Sequence, residues 1–314
     1  MPDSKPKEPT DGVADLVDGF VQSRLCENTR LAYRKALLDF ARSLALASEP
    51  QLLSVTTADV VRYRNALQRR GCSAATVNQR LAAVRGLYRR LLRERRIAAN
   101  PADPELVEGL RTSEGLRSEG LSVEEVRRIL ATCDGSLGGL RDRALILTLY
   151  YEGLRRSEAS KLNYRDLSTK RGLIEIRDAK NNPYETVRQR PEVRGAIEKY
   201  LEVLNAQLGR ARPRPDDPVF CSLSKFRSFG GRLAPSSIND IVKRRARLAG
   251  VNRRVSAHSW RYTCATHGLA AGVPLHQVQR HLRHRDVRTT LRYDRERDTR
   301  RNPTSEALPP LDAT

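Results

Sequence analysis

The sequence predicts a mainly α-helical protein of two domains, the second of which also carries a small antiparallel β-sheet. Three observations support this prediction. Apolar residues recur at helical spacing along most of the chain, only one short stretch has the composition of paired strands, and the helical pattern breaks between residues 98 and 120. A length of 314 residues agrees with two domains, because one domain typically has roughly 100–200 residues.

Three helices are predicted in the first domain. The first begins near Asn28 and places apolar residues on one stripe. The second follows Thr56–Thr57, where threonine is a favourable N-cap, and ends at Gly71. The third runs from Ala74 to about Arg95, and its apolar stripe predicts a buried inner face.

The outer face of the third helix is rich in arginine. Nine arginines and one acid, Glu94, lie between residues 69 and 96. A solvated face is the alternative interpretation, but such faces normally mix both signs of charge, so contact with DNA phosphates is favoured. The candidate DNA-binding residues are Arg80, Arg85, Arg89, Arg90 and Arg93.

The segment between the two domains contains two prolines, three glycines and no strong helical stripe, which predicts a linker between Ala98 and Gly120. The expected organisation is a flexible tail at 1–11, a helical domain at 12–112, a linker at 113–120, a second domain at 121–298 and a C-terminal tail at 299–314.

The second domain begins with a capping box, in which Ser122 and Glu125 precede an apolar helix. A buried helix follows and closes at Gly153. Residues 172–176 and 184–187 read as two strands of a hairpin joined by the polar loop 177–183, and helices fill the remainder.

The net charge of +21 indicates a polyanionic partner. An anionic membrane or an acidic protein would also be attracted, but nucleic acid is favoured. No apolar run reaches the roughly 18 residues that span a bilayer, and no leader is recognisable at the N-terminus, so a cytoplasmic location is expected. Five dispersed cysteines without zinc spacing predict reduced thiols and no metal site.

Four strings in the second domain have the residue types needed for phosphoryl transfer: EGLRRSEASKL from Glu152, the loop with Lys180, HSWRYTCATHG from His258, and LRHRDVRTTLRY, which ends at Tyr293. Two guanidiniums can hold the non-bridging oxygens of a phosphodiester by paired hydrogen bonds. Histidine and lysine can exchange the protons, and tyrosine can act as a covalent nucleophile.

These strings, together with NTRLAYRKALLDF and SAATVNQRLAAVRGLYRRL in the first domain, resemble the tyrosine recombinase (phage integrase) family over nearly the whole chain. The resemblance implies a core-binding domain followed by a catalytic domain. It also implies site-specific cutting and rejoining of double-stranded DNA through a 3′-phosphotyrosyl intermediate, without metal, ATP or other cofactor. Because the helical pattern starts early, the two-domain layout of the Xer and Cre groups is expected, without an additional arm-binding domain.

The resemblance also implies a role for individual residues. Arg155 matches the first catalytic arginine, Glu158 the acid that supports it, and Arg261, three residues after His258, the second arginine. His258 would handle protons, His284 would brace the phosphate at the position that the family fills with His or Trp, and Tyr293 would be the nucleophile. The seven candidate catalytic and supporting residues are therefore Arg155, Glu158, Lys180, His258, Arg261, His284 and Tyr293.

Lys180 departs from the family pattern, because its loop reads RDAKNNPY in place of a GKG-like string; it is chosen as the only lysine of that loop. Taken singly, each of these residues could instead be a surface or packing residue. A type IB topoisomerase and a DNA-binding regulator without chemistry are the alternative functions. The resemblance further implies a tetramer on DNA, whereas charge repulsion predicts a monomer in its absence.

Overall fold

The computed structural model describes residues 11–24, 27–111, 120–168, 172–179, 182–224, 228–284, 286 and 289–291. The chain divides into two compact units, Met1–Gly115 and Leu116–Thr314. Most of the predicted N-terminal tail and linker, and the whole predicted C-terminal tail, lie outside the described residues. The mainly α-helical fold with a small antiparallel sheet is confirmed.

The described part of the first unit contains five helices: α1 (Asp11–Gln22), α2 (Glu27–Ser43), α3 (Glu49–Leu53), α4 (Thr57–Arg69) and α5 (Ala74–Arg93). The three predicted helices are α2, α4 and α5. Helix α1 was not predicted, because three aspartates and two glycines interrupt its sequence; even so, Val17 and Phe20 are buried on its inner face. Helix α3 has only five residues, too few to show a helical period.

Aromatic side chains form the centre of the first unit's core. The ring of Phe40 packs in T-shaped contacts with the rings of Tyr63 and Tyr88, with ring centroids 5.0 and 6.3 Å apart. Both tyrosine hydroxyls find acceptors: Tyr63 donates to Asp39 over 3.0 Å, and Tyr88 to the carbonyl of Leu52 over 2.9 Å. These bonds offset the cost of burying a phenol and fix α2, α3, α4 and α5 against one another.

The broken helical pattern after α5 predicted a linker from Ala98 onward, but the first half of this segment packs onto the first unit, as the domain bounds 12–112 anticipate. Ala102 and Val107 are fully buried, and the guanidinium of Arg85 donates to the carbonyl oxygens of both. Asn78 also exchanges hydrogen bonds of 2.8 Å with the backbone of Leu110. Side chains of α5 thus hold this segment by hydrogen bonds to its backbone. Such contacts do not require apolar residues at regular spacing, so the sequence pattern did not predict them.

In its described part, the second unit contains helices α6 (Val123–Ala131), α7 (Leu137–Tyr151), α8 (Arg156–Lys161), α9 (Pro191–Gln207), α10 (Pro235–Leu248), α11 (Ala257–Ala270) and α12 (Leu275–His281), and strands β1 (Leu167–Ser168), β2 (Leu173–Ala179) and β3 (Asn182–Arg188). The capping box of α6 is confirmed: Ser122 and Glu125 exchange hydrogen bonds of 2.7 and 3.1 Å.

The three strands form one antiparallel sheet in the order β1-β2-β3. The predicted loop 177–183 is too long, because Arg177 pairs with Tyr184 and Ala179 with Asn182 inside the ladder. The strands therefore continue through polar residues, which an apolar pattern does not reveal. One of these residues is held by an ion pair, since the guanidinium of Arg177 lies 2.5 Å from the carboxylate of Asp166. Strand β1 has two residues and was not predicted.

Helix α7 lies at the centre of the second unit and is buried on nearly every side. Its residues Leu145, Ile146 and Leu149 are fully buried and pack in one core with α9 and α11. No helix among the described residues combines the length and the apolar character needed to cross a membrane. The position of α7 places its C-terminal end, and the turn that follows it, next to α11 and α12.

Candidate active site

The turn between α7 and α8 depends on Gly153. This residue has a φ of +55°, a left-handed conformation that glycine adopts without steric cost. A Cβ atom at Gly153 would lie 2.6 Å from Cδ2 of Leu282, so the turn also requires the absence of a side chain. Gly153 thereby allows the backbone after α12 to approach the start of α8, where Arg155 is the N-cap residue.

Arg155 and Glu158 are joined by two hydrogen bonds across the first turn of α8. The backbone N–H of Arg155 donates to Oε2 of Glu158 over 2.7 Å, and its guanidinium donates to Oε1 over 2.5 Å. The Arg155 side chain is one third exposed, whereas that of Glu158 is 6% exposed. The buried carboxylate therefore orients a guanidinium that remains accessible to a ligand.

Arg261 approaches the same place from α11. Its guanidinium donates to the carbonyl oxygens of Gly153 and Leu282, and the residue is only 2% exposed. The guanidinium of Arg155 also reaches this segment, since it donates to the carbonyl of Arg283 over 3.1 Å. The two predicted arginines therefore meet at the backbone of residues 282–283, although they are 106 positions apart in the sequence.

His258 lies on the first turn of α11 at the protein surface. Its pKa is lowered, first because the protein excludes water from part of the ring, and then because of the positive charges of Arg261 and Arg155. The depressed pKa favours a neutral imidazole at pH 7. Such a ring can accept a proton next to the two arginines.

His284 follows α12 and is partly buried. Burial, followed by the charges of Arg261, Arg155, Arg283 and His258, lowers its pKa to about 3. Its Nδ1 atom shares a hydrogen bond of 2.9 Å with the hydroxyl of the buried Thr290. His284 is therefore a neutral side chain of fixed orientation beside the guanidiniums.

Sequence reasoning missed Thr290 and Arg283 as parts of this site. Thr290 lies within the string LRHRDVRTTLRY, and its spacing of six residues from His284 gave no separate signal. Arg283 adopts a φ of +56°, which is uncommon for a residue with a side chain, and its side chain is 4% exposed. Neither property can be read from one sequence.

Two predicted catalytic residues, Lys180 and Tyr293, lie outside the described residues. By sequence, Lys180 follows the last residue of β2, and Tyr293 lies two residues beyond the described helical stretch 289–291. Their assignment stays a prediction. The same holds for the DNA-binding arginines of α5, which the structure presents in different environments.

Arg89 and Arg93 are exposed on α5. Arg80 instead forms an ion pair with Asp39, and Arg90 contacts Glu94 over 2.6 Å. The guanidinium of Arg85 donates hydrogen bonds to backbone carbonyls of the segment after α5. Exposure therefore favours Arg89 and Arg93 as the DNA-facing members of this set.

The chain matches the family model described as the phage integrase family over residues 119–300, and the model of its N-terminal SAM-like domain over residues 20–95. It is 30% identical over 294 residues to a tyrosine recombinase of Synechocystis sp., covering 89% of this chain and 90% of that protein. It is 33% identical to the tyrosine recombinase XerC of Myxococcus xanthus, covering 82% and 83% of the two chains.

Among solved structures, a lambda integrase fragment, in a dimer bound to a COC′ core site, superposes with a TM-score of 0.70. That match covers 90% of this chain and 95% of the integrase chain at 16% identity, which supports the fold. The chain belongs to the phage integrase family, and it is a site-specific DNA recombinase of the tyrosine type.

Proposed function

We propose that Arg155, Arg261, His258 and His284 hold and activate one phosphate of duplex DNA for attack by Tyr293. The convergence of Arg155 and Arg261 on the backbone of residues 282–283 carries this proposal. Two guanidiniums at one point can neutralise the charge that develops on the non-bridging oxygens of the phosphate.

The proposed reaction exchanges one phosphodiester for another. The phenol oxygen of Tyr293 attacks phosphorus, the bond to the 5′ oxygen of the next nucleotide breaks, and the products are a 3′-phosphotyrosyl bond and a free 5′-hydroxyl. The phenol loses one proton and the leaving oxygen gains one. Attack by a 5′-hydroxyl from a partner strand reverses the step, so the energy of the bond is conserved without ATP.

The proton transfers are assigned from the electrostatics of the site. His258 has a lowered pKa, so it is suited to accept the proton of Tyr293 near neutral pH. Lys180, which follows the last residue of β2 in sequence, would give a proton to the leaving oxygen. His284, kept neutral by its surroundings, would brace the phosphate without adding a mobile charge.

A trapping experiment tests the proposal. A duplex nicked beside the cleavage position releases a short strand after attack and prevents religation, so the covalent complex accumulates. We expect the wild-type protein to attach to the 3′ phosphate, and Tyr293→Phe to bind the same DNA without becoming attached. Attachment of the Tyr293→Phe protein, or attachment to a 5′ end, would contradict the assignment.

We further propose that the protein is a monomer in solution and a tetramer on two recombining DNA sites. The charge of +21 supports the first statement, because like charges oppose association until DNA neutralises them. The tetramer is supported by one structural relative, a lambda integrase tetramer bound to a Holliday junction. Light scattering in moderate salt, with and without DNA, tests both; a stable tetramer without DNA would contradict the first.

A further inference from the structure

Arg283 combines two features that the proposed reaction does not use. It is one of three residues other than glycine with a positive φ in the described part of the chain, at +56°. Its guanidinium is almost completely buried, with 4% of the side chain exposed. A buried charge must be compensated, and a left-handed conformation disfavours any side chain, so these features call for strong contacts elsewhere.

The guanidinium of Arg283 contacts four parts of the second unit. It donates to the carbonyl of His281 at the end of α12 over 2.8 Å and to that of Gly153 over 3.2 Å. It donates to Oε2 of Glu158 on α8 over 2.9 Å. Its Nε atom lies 3.5 Å from the carboxylate of Glu185 on β3. One side chain thus joins α12, the α7–α8 turn, α8 and β3.

These contacts divide the negative charge of Glu158 between two arginines. Burial raises the pKa of Glu158, but Arg283 and Arg155 outweigh this effect and keep the carboxylate ionised. Without Arg283, the whole charge of Glu158 would act on Arg155, which would then compete less well for a phosphate. Arg283 therefore leaves more of the positive charge of Arg155 available to DNA.

The backbone of Arg283 acts on Arg155 as well. Its carbonyl accepts a hydrogen bond of 3.1 Å from the guanidinium of Arg155, and the left-handed φ helps to set the direction of that carbonyl. Glycine could supply the same backbone conformation without steric cost. Replacement of Arg283 by glycine therefore removes the guanidinium and retains the backbone arrangement.

We infer that Arg283 is a positioning residue of the strand-transfer site, whose guanidinium fixes Glu158 and β3 and thereby orients Arg155 toward the scissile phosphate. This inference rests on the proposed role of Arg155. It also assigns Glu185 a function, as the contact that ties β3 to the arginine site.

The test compares Arg283→Gly, Arg283→Lys and Glu185→Gln with the wild-type protein on the nicked substrate. Single-turnover attachment is measured at saturating DNA, and the Kd for DNA separately. We expect Arg283→Gly to attach about 10–100-fold more slowly, as is typical when a catalytic group is misplaced by about 1 Å, while its Kd changes by less than about two-fold. Arg283→Lys restores part of the rate, because it returns the charge without the planar fork.

Glu185→Gln gives a smaller loss of rate and adds nothing in the Arg283→Gly background, because both changes remove the same contact. Arg95→Gly is the matched control for the backbone, since Arg95 has the same φ of +56° in the first unit and is exposed. Thermal unfolding is measured for Arg283→Gly and Arg95→Gly. The change in stability of Arg95→Gly reports the relief of backbone strain, and the difference between the two variants reports the loss of the buried guanidinium.

Attachment by Arg283→Gly within about two-fold of the wild-type rate overturns the inference, as does a loss that appears only in Kd. If Arg283→Gly does not fold, wild-type rates for both Arg283→Lys and Glu185→Gln overturn it. Failure of the proposed reaction is distinguishable, because the wild-type protein would then form no covalent complex, or Tyr293→Phe would form one.

Discussion

Arg261 donates a hydrogen bond to the backbone carbonyl of Gly153, which lies in the turn between α7 and α8. A carbonyl neutralises less of the charge of a guanidinium than a carboxylate does, so Arg261 can be nearly buried and still act on a phosphate. The arrangement depends on a residue without a side chain at position 153.

Gly153→Ala is expected to destabilise the second unit and to slow strand transfer. A left-handed alanine costs about 1–2 kcal/mol, and its Cβ would press on Leu282, adding about 1–3 kcal/mol if the neighbours move little. Denaturant unfolding and single-turnover attachment measure the two effects. Gly209→Ala is the control, because Gly209 has a φ of +67° and a Cβ atom added there would have no neighbour within 4 Å; equal losses in both variants would contradict the role of the close contact.

Arg89→Ala and Arg85→Ala should separate DNA contact from folding. Arg89 is exposed, so its removal should weaken DNA binding and lower the slope of log K against log salt by about 1, without loss of stability. Arg85 binds two buried backbone carbonyls, so its removal should lower the free energy of unfolding by about 1–3 kcal/mol. Salt-dependent binding and denaturant unfolding test this; a reduced slope for Arg85→Ala alone would reverse the assignment.

Glu152 makes the stability of the second unit depend on pH. Its side chain is buried beside α9, and burial, partly opposed by a hydrogen bond from the backbone of Arg190, raises its pKa to about 7. Because the folded-state pKa lies above that of the unfolded chain, stability falls as pH rises from about 4.5 to about 7. Glu152→Gln should therefore stabilise the protein at pH 8, by about 1–3 kcal/mol, and have little effect at pH 4.5.

Denaturant unfolding of Glu152→Gln at both pH values provides the measurement. Glu202→Gln is the matched control, since Glu202 is exposed on α9 and its replacement should change stability little at either pH. An equal gain in the two variants at pH 8 would show that burial of Glu152 is not the cause.

His284→Trp should retain more strand-transfer activity than His284→Ala. The pKa of about 3 makes His284 neutral at pH 7, so a neutral ring with one N–H donor can replace it, whereas alanine leaves the phosphate without this support. Single-turnover rates at pH 7 compare the variants. Because the site does not require a charged His284, the pH dependence of the wild-type rate between pH 5 and pH 8 should contain no contribution from ionisation of this residue. Equal rates for the Trp and Ala variants would contradict the bracing role.

The sequence by itself determined the helices with long apolar stripes, such as α2 and α5, and the identity of the chemical groups. Periodicity reports burial directly, and the order of Arg155, His258, Arg261 and His284 is a property of the chain. The same reasoning could not find α3 or β1, because neither is long enough to complete a period.

Only the tertiary structure decided which of these groups act on one another. Arg283 entered the site through a left-handed φ and contacts with Gly153, Glu158 and Glu185, none of which follows from residue type. Likewise, Arg85 and Arg89 lie on the same helix, yet one binds backbone carbonyls and the other is exposed. A guanidinium can bind a DNA phosphate or stabilise the fold, and its role depends on which oxygen atoms lie within about 3 Å of it.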